Sequence, residues 1–231
     1  KGALVMSKIK IYLQPTPVRI WHWVNATGFI ALILSGIQIR FPEYVHLFGS
    51  YKSAISLHNV AGLVVAVSFS FWFFYYKMVA GNILKIYMPN SEDLSRGLLR
   101  QGIFYFFKYF KGDPNPHHTT PENKFNPLQK SAYLAVMFIL VPLVSLTGIL
   151  IMNVTPLRDL VVVAGGLKIL ASLHFLLACS LCAFLFTHVY LATLGHTPLE
   201  HFKPMWTGWE EIDEEEAKEH EGHLRNAESG R

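Results

Sequence analysis

Four stretches of the chain contain no Asp, Glu, Lys or Arg: residues 20–39, 53–76, 131–157 and 169–199. Each is long enough for a helix to cross a bilayer core, which takes about 20 residues. The pattern predicts an all-α membrane protein built as a four-transmembrane-helix bundle. Charged residues collect in a segment 1–19, a loop 77–130 and a tail 200–231, which bracket a membrane domain 20–199.

Composition agrees with this reading. The 231 residues are 52% hydrophobic and 16% charged, and mean hydropathy is +0.30, too apolar for an ordinary soluble domain. Sixteen of the 20 Lys and Arg fall in residues 1–19, the 77–130 loop and the tail after Gly195. Arg40, Lys52, Arg158 and Lys168 occupy the other two connections. Positive charge is retained in the cytoplasm, so both termini are expected there. Residues 1–19 lack an apolar core with a small-residue cleavage site, and the first span reads as its own insertion signal. Trp21, Trp23, Trp206 and Trp209 suit interfacial belts. The pI near 9.0 follows from topology, and no basic stripe calls for nucleic acid.

Outside the spans, residues 98–110 (LLRQGIFYFFKYF) read either as an amphipathic helix lying on the inner leaflet or as a packed loop helix. Residues 113–126, rich in Pro and Asn, read as irregular connection. Beyond Gly208 eight acidic residues crowd together, from Glu210 to Glu221, either as a solvated run or as a strap for a soluble partner.

The chemistry lies with four histidines inside the charge-free runs: His22, His58, His174 and His188. Ionisable side chains at membrane depth are costly and mark ion paths, proton paths or cofactors. His174 and His188 are separated on one helix by a rise of about 21 Å and a rotation about 40° short of four turns. They leave the same face at two depths, so a single helix can serve two stacked cofactors. With the N-terminus inside, His22 and His188 lie near the inner face and His58 and His174 near the outer. Depth therefore pairs His58 with His174 and His22 with His188. Each pair is suited to clamp one haem iron through two imidazoles, which leaves no open position and implies electron conduction. A histidine proton relay in a haem-free transporter is the rival reading, but the spans hold no Asp or Glu partners.

The remaining histidines (His46, His117, His118, His196, His201, His220 and His223) fall in loops or the tail, and His117–His118 is a weak metal signal. Cys179 and Cys182 form C-x-x-C without a following His, which argues for packing and against covalent haem attachment. Gly28, Gly36, Gly62 and Gly148 permit close approach of a helix or a flat macrocycle. Arg19 is either an interfacial anchor or a propionate partner.

The run Pro17-Val18-Arg19-Ile20-Trp21-His22-Trp23 with Asn25, the Leu57-His58 pair with Gly62, and the histidine spacing of the last span resemble one family. It is the di-haem b-type cytochrome subunit of respiratory formate dehydrogenase, nickel-iron hydrogenase and thiosulfate reductase complexes. The first motif is closest to the hydrogenase type; the tail, from Pro204 to Trp209, looks more like the other two.

The resemblance implies two b haems held by His22, His58, His174 and His188 in the pairing above. It further implies an iron-sulfur electron-transfer subunit on the outer face, a catalytic dehydrogenase or reductase subunit, and a bacterial or archaeal cytoplasmic membrane. It also implies a quinone, menaquinone or ubiquinone, near the inner haem. Residues 124–130 (KFNPLQK) resemble the quinone-contacting segment, which carries Asn126 and Leu128, with His188, into that role; Asn126 equally suits a helix N-cap. Electron flow in either direction is compatible with these ligands. A stand-alone cytochrome b reducing an external acceptor such as ferric iron is the alternative.

Overall fold

The computed structural model describes residues 8–79, 88–117, 125–194, 199 and 202–213. The chain divides into two compact units, one of residues 20–83 and 132–191, the other of residues 1–19, 84–131 and 192–231. Four helices are long and apolar enough to span a membrane: α1 (Thr16–Arg40), α2 (Tyr51–Met78), α4 (Pro127–Met152) and α6 (Leu167–Ala192).

Local chemistry sets their ends. Ser50 caps α2 by accepting from the Ser53 backbone N–H at 3.0 Å. The α1–α2 connection is held by the buried Gln38, whose Oε1 accepts from Phe48 N at 2.8 Å while Nε2 donates to the Ser50 carbonyl at 3.2 Å. In α4 the helix widens into a π-type turn at Val136–Leu140, just ahead of Pro142. The proline lacks an N–H and crowds the carbonyl four residues back, and the wider turn absorbs that misfit.

The charge-free run predicted a third span continuing to residue 157, but α4 stops at Met152. Asn153 leaves helical geometry at φ −119° and ψ 39°, and its side-chain amide takes the Ile149 carbonyl at 2.9 Å. A short helix α5 (Arg158–Val163) follows. It ends at Gly165 and Gly166, whose φ of 93° and 86° few other residues adopt. The last span ends at Ala192 rather than at 199, and residues 195–198 lie outside the described set.

Within the helical unit the helices meet through small and polar residues. An added Cβ on Gly28 would stand 2.6 Å from Val65 Cγ2, so α1 and α2 touch where Gly28 has no side chain. Asn25 donates to the Trp21 carbonyl and to Ser68 Oγ, both at 2.7 Å. Trp21 joins α1 to α2: Nε1 donates to the Ser68 carbonyl at 3.0 Å and the ring stacks on Trp72 at 5.8 Å. Large apolar side chains such as Ile30, Val60, Val67, Leu146, Ile169 and Leu176 are exposed. Side chains of this kind on membrane-length helices need lipid around them; the chain is a multi-pass membrane protein.

The second unit carries helical turns from Asp93 to Lys111, centred on α3 (Leu98–Ile103). Leu99, Ile103, Phe106, Phe107 and Phe110 are exposed while Gln101 and Phe104 are buried. Added to the helical class is a two-stranded antiparallel ribbon. It pairs β1 (Lys8–Tyr12) with β2 (Trp209–Asp213), opposing Lys8 to Asp213 and Lys10 to Glu211. The short α7 (Lys203–Thr207) leads into it through Gly208, whose φ is 90°. The start of the acidic run is thus backbone-paired to the N-terminal segment; residues 214–231 lie outside the described set.

Candidate functional site

His22 sits in the second turn of α1, His58 in the third turn of α2, and His174 and His188 on α6. The structure brings them together as two couples. The ring centroids of His58 and His174 are 6.2 Å apart, and those of His22 and His188 are also 6.2 Å apart. Imidazoles that stack or hydrogen-bond directly sit closer than this. Two metal–nitrogen bonds of about 2.0 Å each, with the radius of each ring added, span about 6 Å. The separation fits one metal atom between each couple.

Two ligands alone do not make a protein metal site, since zinc and its relatives take four protein groups or three and a water. Among the described residues there is no group of three or more His, Cys, Asp and Glu able to hold an ion. Two imidazoles facing each other suit a metal whose four equatorial bonds come from elsewhere, as in a porphyrin.

The hydroxyls around the His58/His174 couple fix which nitrogen is free. Ser35 Oγ donates its hydrogen to the Ala31 carbonyl at 2.6 Å and contacts His58 Nδ1 at 3.0 Å. With its own hydrogen committed, the serine oxygen accepts from Nδ1–H. Thr147 repeats the arrangement: Oγ1 donates to the Leu143 carbonyl at 2.9 Å and accepts from His174 Nδ1–H at 2.9 Å. A proton held on Nδ1 leaves Nε2 with its lone pair, the state a metal requires. The residue after each hydroxyl is a glycine. A Cβ on Gly36 would lie 3.4 Å from His58 Cε1, and one on Gly148 would lie 3.2 Å from His174 Cε1. Each ring is therefore seated against a hydroxyl–glycine pair on a neighbouring helix.

The His22/His188 couple is built differently. His22 Nδ1 is buried without a hydrogen-bond partner. His22 meets Trp23 edge-on at 5.1 Å, and His188 stacks on Phe184 at 5.7 Å.

Ser35 and Thr147 escaped the sequence reading. The available signal was a Ser-Gly and a Thr-Gly dipeptide, each in the middle of an apolar run.

Asn126 and Leu128 belong to the unit that holds residues 84–131, whereas the four histidines belong to the other. Asn126 is a reciprocal cap of α4: its Oδ1 accepts from Gln129 N at 2.8 Å, and Gln129 Oε1 accepts from Asn126 N at 2.9 Å. Its amide also donates to the Tyr105 hydroxyl at 3.3 Å. Burial raises the Tyr105 phenol above its usual range, so it stays protonated. Arg19 donates to the Trp206 carbonyl at 2.6 Å and to Thr16 Oγ1 at 3.0 Å. Cys179 and Cys182 are free thiols on α6. His46 is exposed and His117 half-buried, while His118, His196, His201, His220 and His223 lie outside the described residues.

Comparison with known proteins agrees in kind. A family model described as prokaryotic cytochrome b561 matches residues 13–208. A protein of Escherichia coli (strain K12) named as a cytochrome, YdhU, is 36% identical over 203 residues, 87% of this chain and 74% of that protein. A protein of Azospira oryzae named as a protein-methionine-sulfoxide reductase subunit, YedZ1, is 24% identical over 198 residues, 82% of this chain and 94% of the other. One of Rhodobacter capsulatus, named as a nickel-iron-hydrogenase B-type cytochrome subunit, is 25% identical over 127 residues, 49% of this chain and 48% of that one.

Proposed function

The chain belongs to the prokaryotic cytochrome b561 family and is a b-type membrane cytochrome; from this premise we propose that it holds two b haems. His58 with His174 would hold one, and His22 with His188 the other. The observation that carries this reading is the repeated 6.2 Å separation of facing imidazoles. Bound there, the two haems would supply a one-electron relay from one side of the membrane to the other.

The chain's own residues do the rest. α6 carries one ligand for each centre and spaces them about 21 Å apart. Ser35 and Thr147 hold two imidazoles in the ligating tautomer, and the apolar spans keep water from the path. With basic segments retained in the cytoplasm, both termini lie inside and the His58/His174 centre faces outward. The host membrane is the cytoplasmic membrane of a bacterium or archaeon.

The function is electron transfer between an outer-face iron-sulfur subunit, with its catalytic dehydrogenase or reductase, and the membrane quinone pool. Relatives named as subunits of a hydrogenase and of a reductase support membership of such a complex. Asn126 and Leu128 are assigned to the quinone on the strength of the 124–130 motif.

The test is an optical spectrum of the purified full chain with a haem-to-protein ratio, coupled to affinity purification from its native membrane. Two bis-histidine b haems per chain, co-purifying with iron-sulfur protein, is the expected result. One haem or none per chain overturns the di-haem reading. Two haems without an iron-sulfur partner favour a stand-alone cytochrome.

A further inference from the structure

The two histidine couples differ in one chemical respect. Both rings of the His58/His174 couple present Nδ1 to a hydroxyl oxygen, at 3.0 Å to Ser35 and 2.9 Å to Thr147, with a helix carbonyl, Leu32 for His58 and Val144 for His174, as a further acceptor beside each. In the His22/His188 couple, His22 Nδ1 is buried without a partner and His188 stacks on the Phe184 ring. From this asymmetry we propose that Ser35 and Thr147 are positioning residues that set the His58/His174 centre to the lower reduction potential of the two.

The physical basis is ligand basicity. An Nδ1–H that donates to an oxygen shifts electron density toward Nε2, which makes the imidazole a stronger donor to iron. A stronger donor favours the higher iron charge, so the ferric form gains relative to the ferrous and the potential falls. Neither hydroxyl can turn away, because each spends its own hydrogen on a carbonyl of its helix, Ala31 for Ser35 and Leu143 for Thr147. Both oxygens are therefore fixed acceptors. Ser35 is fully buried and Thr147 nearly so, and burial in low dielectric strengthens each bond. Gly148 leaves room for the His174 ring, whose Cε1 would stand a tight 3.2 Å from an added Cβ, and His58 Cε1 lies in van der Waals reach of a Cβ on Gly36, at 3.4 Å. The residues Ser35-Gly36 on α1 and Thr147-Gly148 on α4 thus act as a matched pair on one centre. A lower potential there inclines electrons toward the His22/His188 centre.

The inference rests on the two-haem reading above, and the experiment separates the two. Potentiometric titration of the full-length holoprotein in nanodiscs gives one midpoint per haem. Ser35→Ala and Thr147→Val should each raise the lower midpoint and leave the other in place, and together they should narrow the gap. Ser35→Thr and Thr147→Ser, which keep a hydroxyl, should restore the wild-type value; this rescue excludes a simple packing effect. If both haems are present and neither midpoint moves, or the higher one moves, the tuning proposal fails while the two-haem reading stands. If Ser35→Ala and Thr147→Val move different midpoints, His58 and His174 do not share an iron and the pairing fails. A wild-type preparation with fewer than two midpoints overturns the two-haem reading itself.

Discussion

The imidazoles of His22 and His188 stand 6.2 Å apart between ring centroids, the separation found again between His58 and His174. Nothing local forces this equality. The first couple joins α1 to α6, the second α2 to α6, and their surroundings differ. Equal spacing at both couples is what the proposed bis-histidine reading requires.

That relation predicts how ligand substitutions behave. His22→Ala and His188→Ala should each reduce the haem content from two per chain to one and delete the same spectral component. His58→Ala and His174→Ala should delete the other. Haem quantitation with low-temperature spectra decides it, and four variants that delete components in any other grouping would break the pairing.

The Gly28–Val65 contact predicts a stability effect away from the histidines. Gly28→Ala places a methyl 2.6 Å from Val65 Cγ2, and a buried β-branched side chain has little room to yield. Overpacking of this kind costs about 1–3 kcal/mol. Thermal unfolding in detergent should show the loss, and Val65→Ala in the same chain should recover part of it. An unchanged melting temperature for Gly28→Ala would mean that α1 and α2 are not held this close.

Lys130 and Asp93 form an ion pair at 3.0 Å with side chains only 10% and 13% exposed. Removing one partner of a buried pair strands the other and costs about 3–5 kcal/mol, while replacing both costs much less. Lys130→Met should therefore destabilise the start of α4 more than the double change Lys130→Met with Asp93→Leu. Limited proteolysis of the 88–130 region reads this out, and equal protection in the two variants would argue against the pair.

Asn126 has two roles that can be separated. Asn126→Ala removes the cap and should cost about 1 kcal/mol. Asn126→Asp keeps the acceptor for Gln129 N but removes the amide donor. If the amide also serves a quinone, Asn126→Asp should slow quinone turnover about fivefold, the equivalent of one hydrogen bond of about 1 kcal/mol, with both haems retained. Turnover equal to wild type in a stable Asn126→Asp protein leaves Asn126 as a cap alone.

The sequence by itself determined the four membrane-length helices, because a bilayer demands about 20 apolar residues in a row and tolerates charge poorly. It also singled out the four histidines, since ionisable groups stand out against such a background. Helix ends such as Asn153 were legible only in part: a polar residue followed by Pro156 does not announce that the helix stops, and the Asn153 amide bonding back to Ile149 does. The partnership of Ser35 with His58 and of Thr147 with His174 was decided by tertiary structure alone. A Ser or Thr in a membrane helix satisfies itself on a carbonyl one turn back, and only the rotation of the neighbouring helix determines whether its oxygen also meets a ring. The same holds for the ribbon of Lys8–Tyr12 with Trp209–Asp213. Its strands are some 200 residues apart, and no local pattern of residues announces pairing at that range.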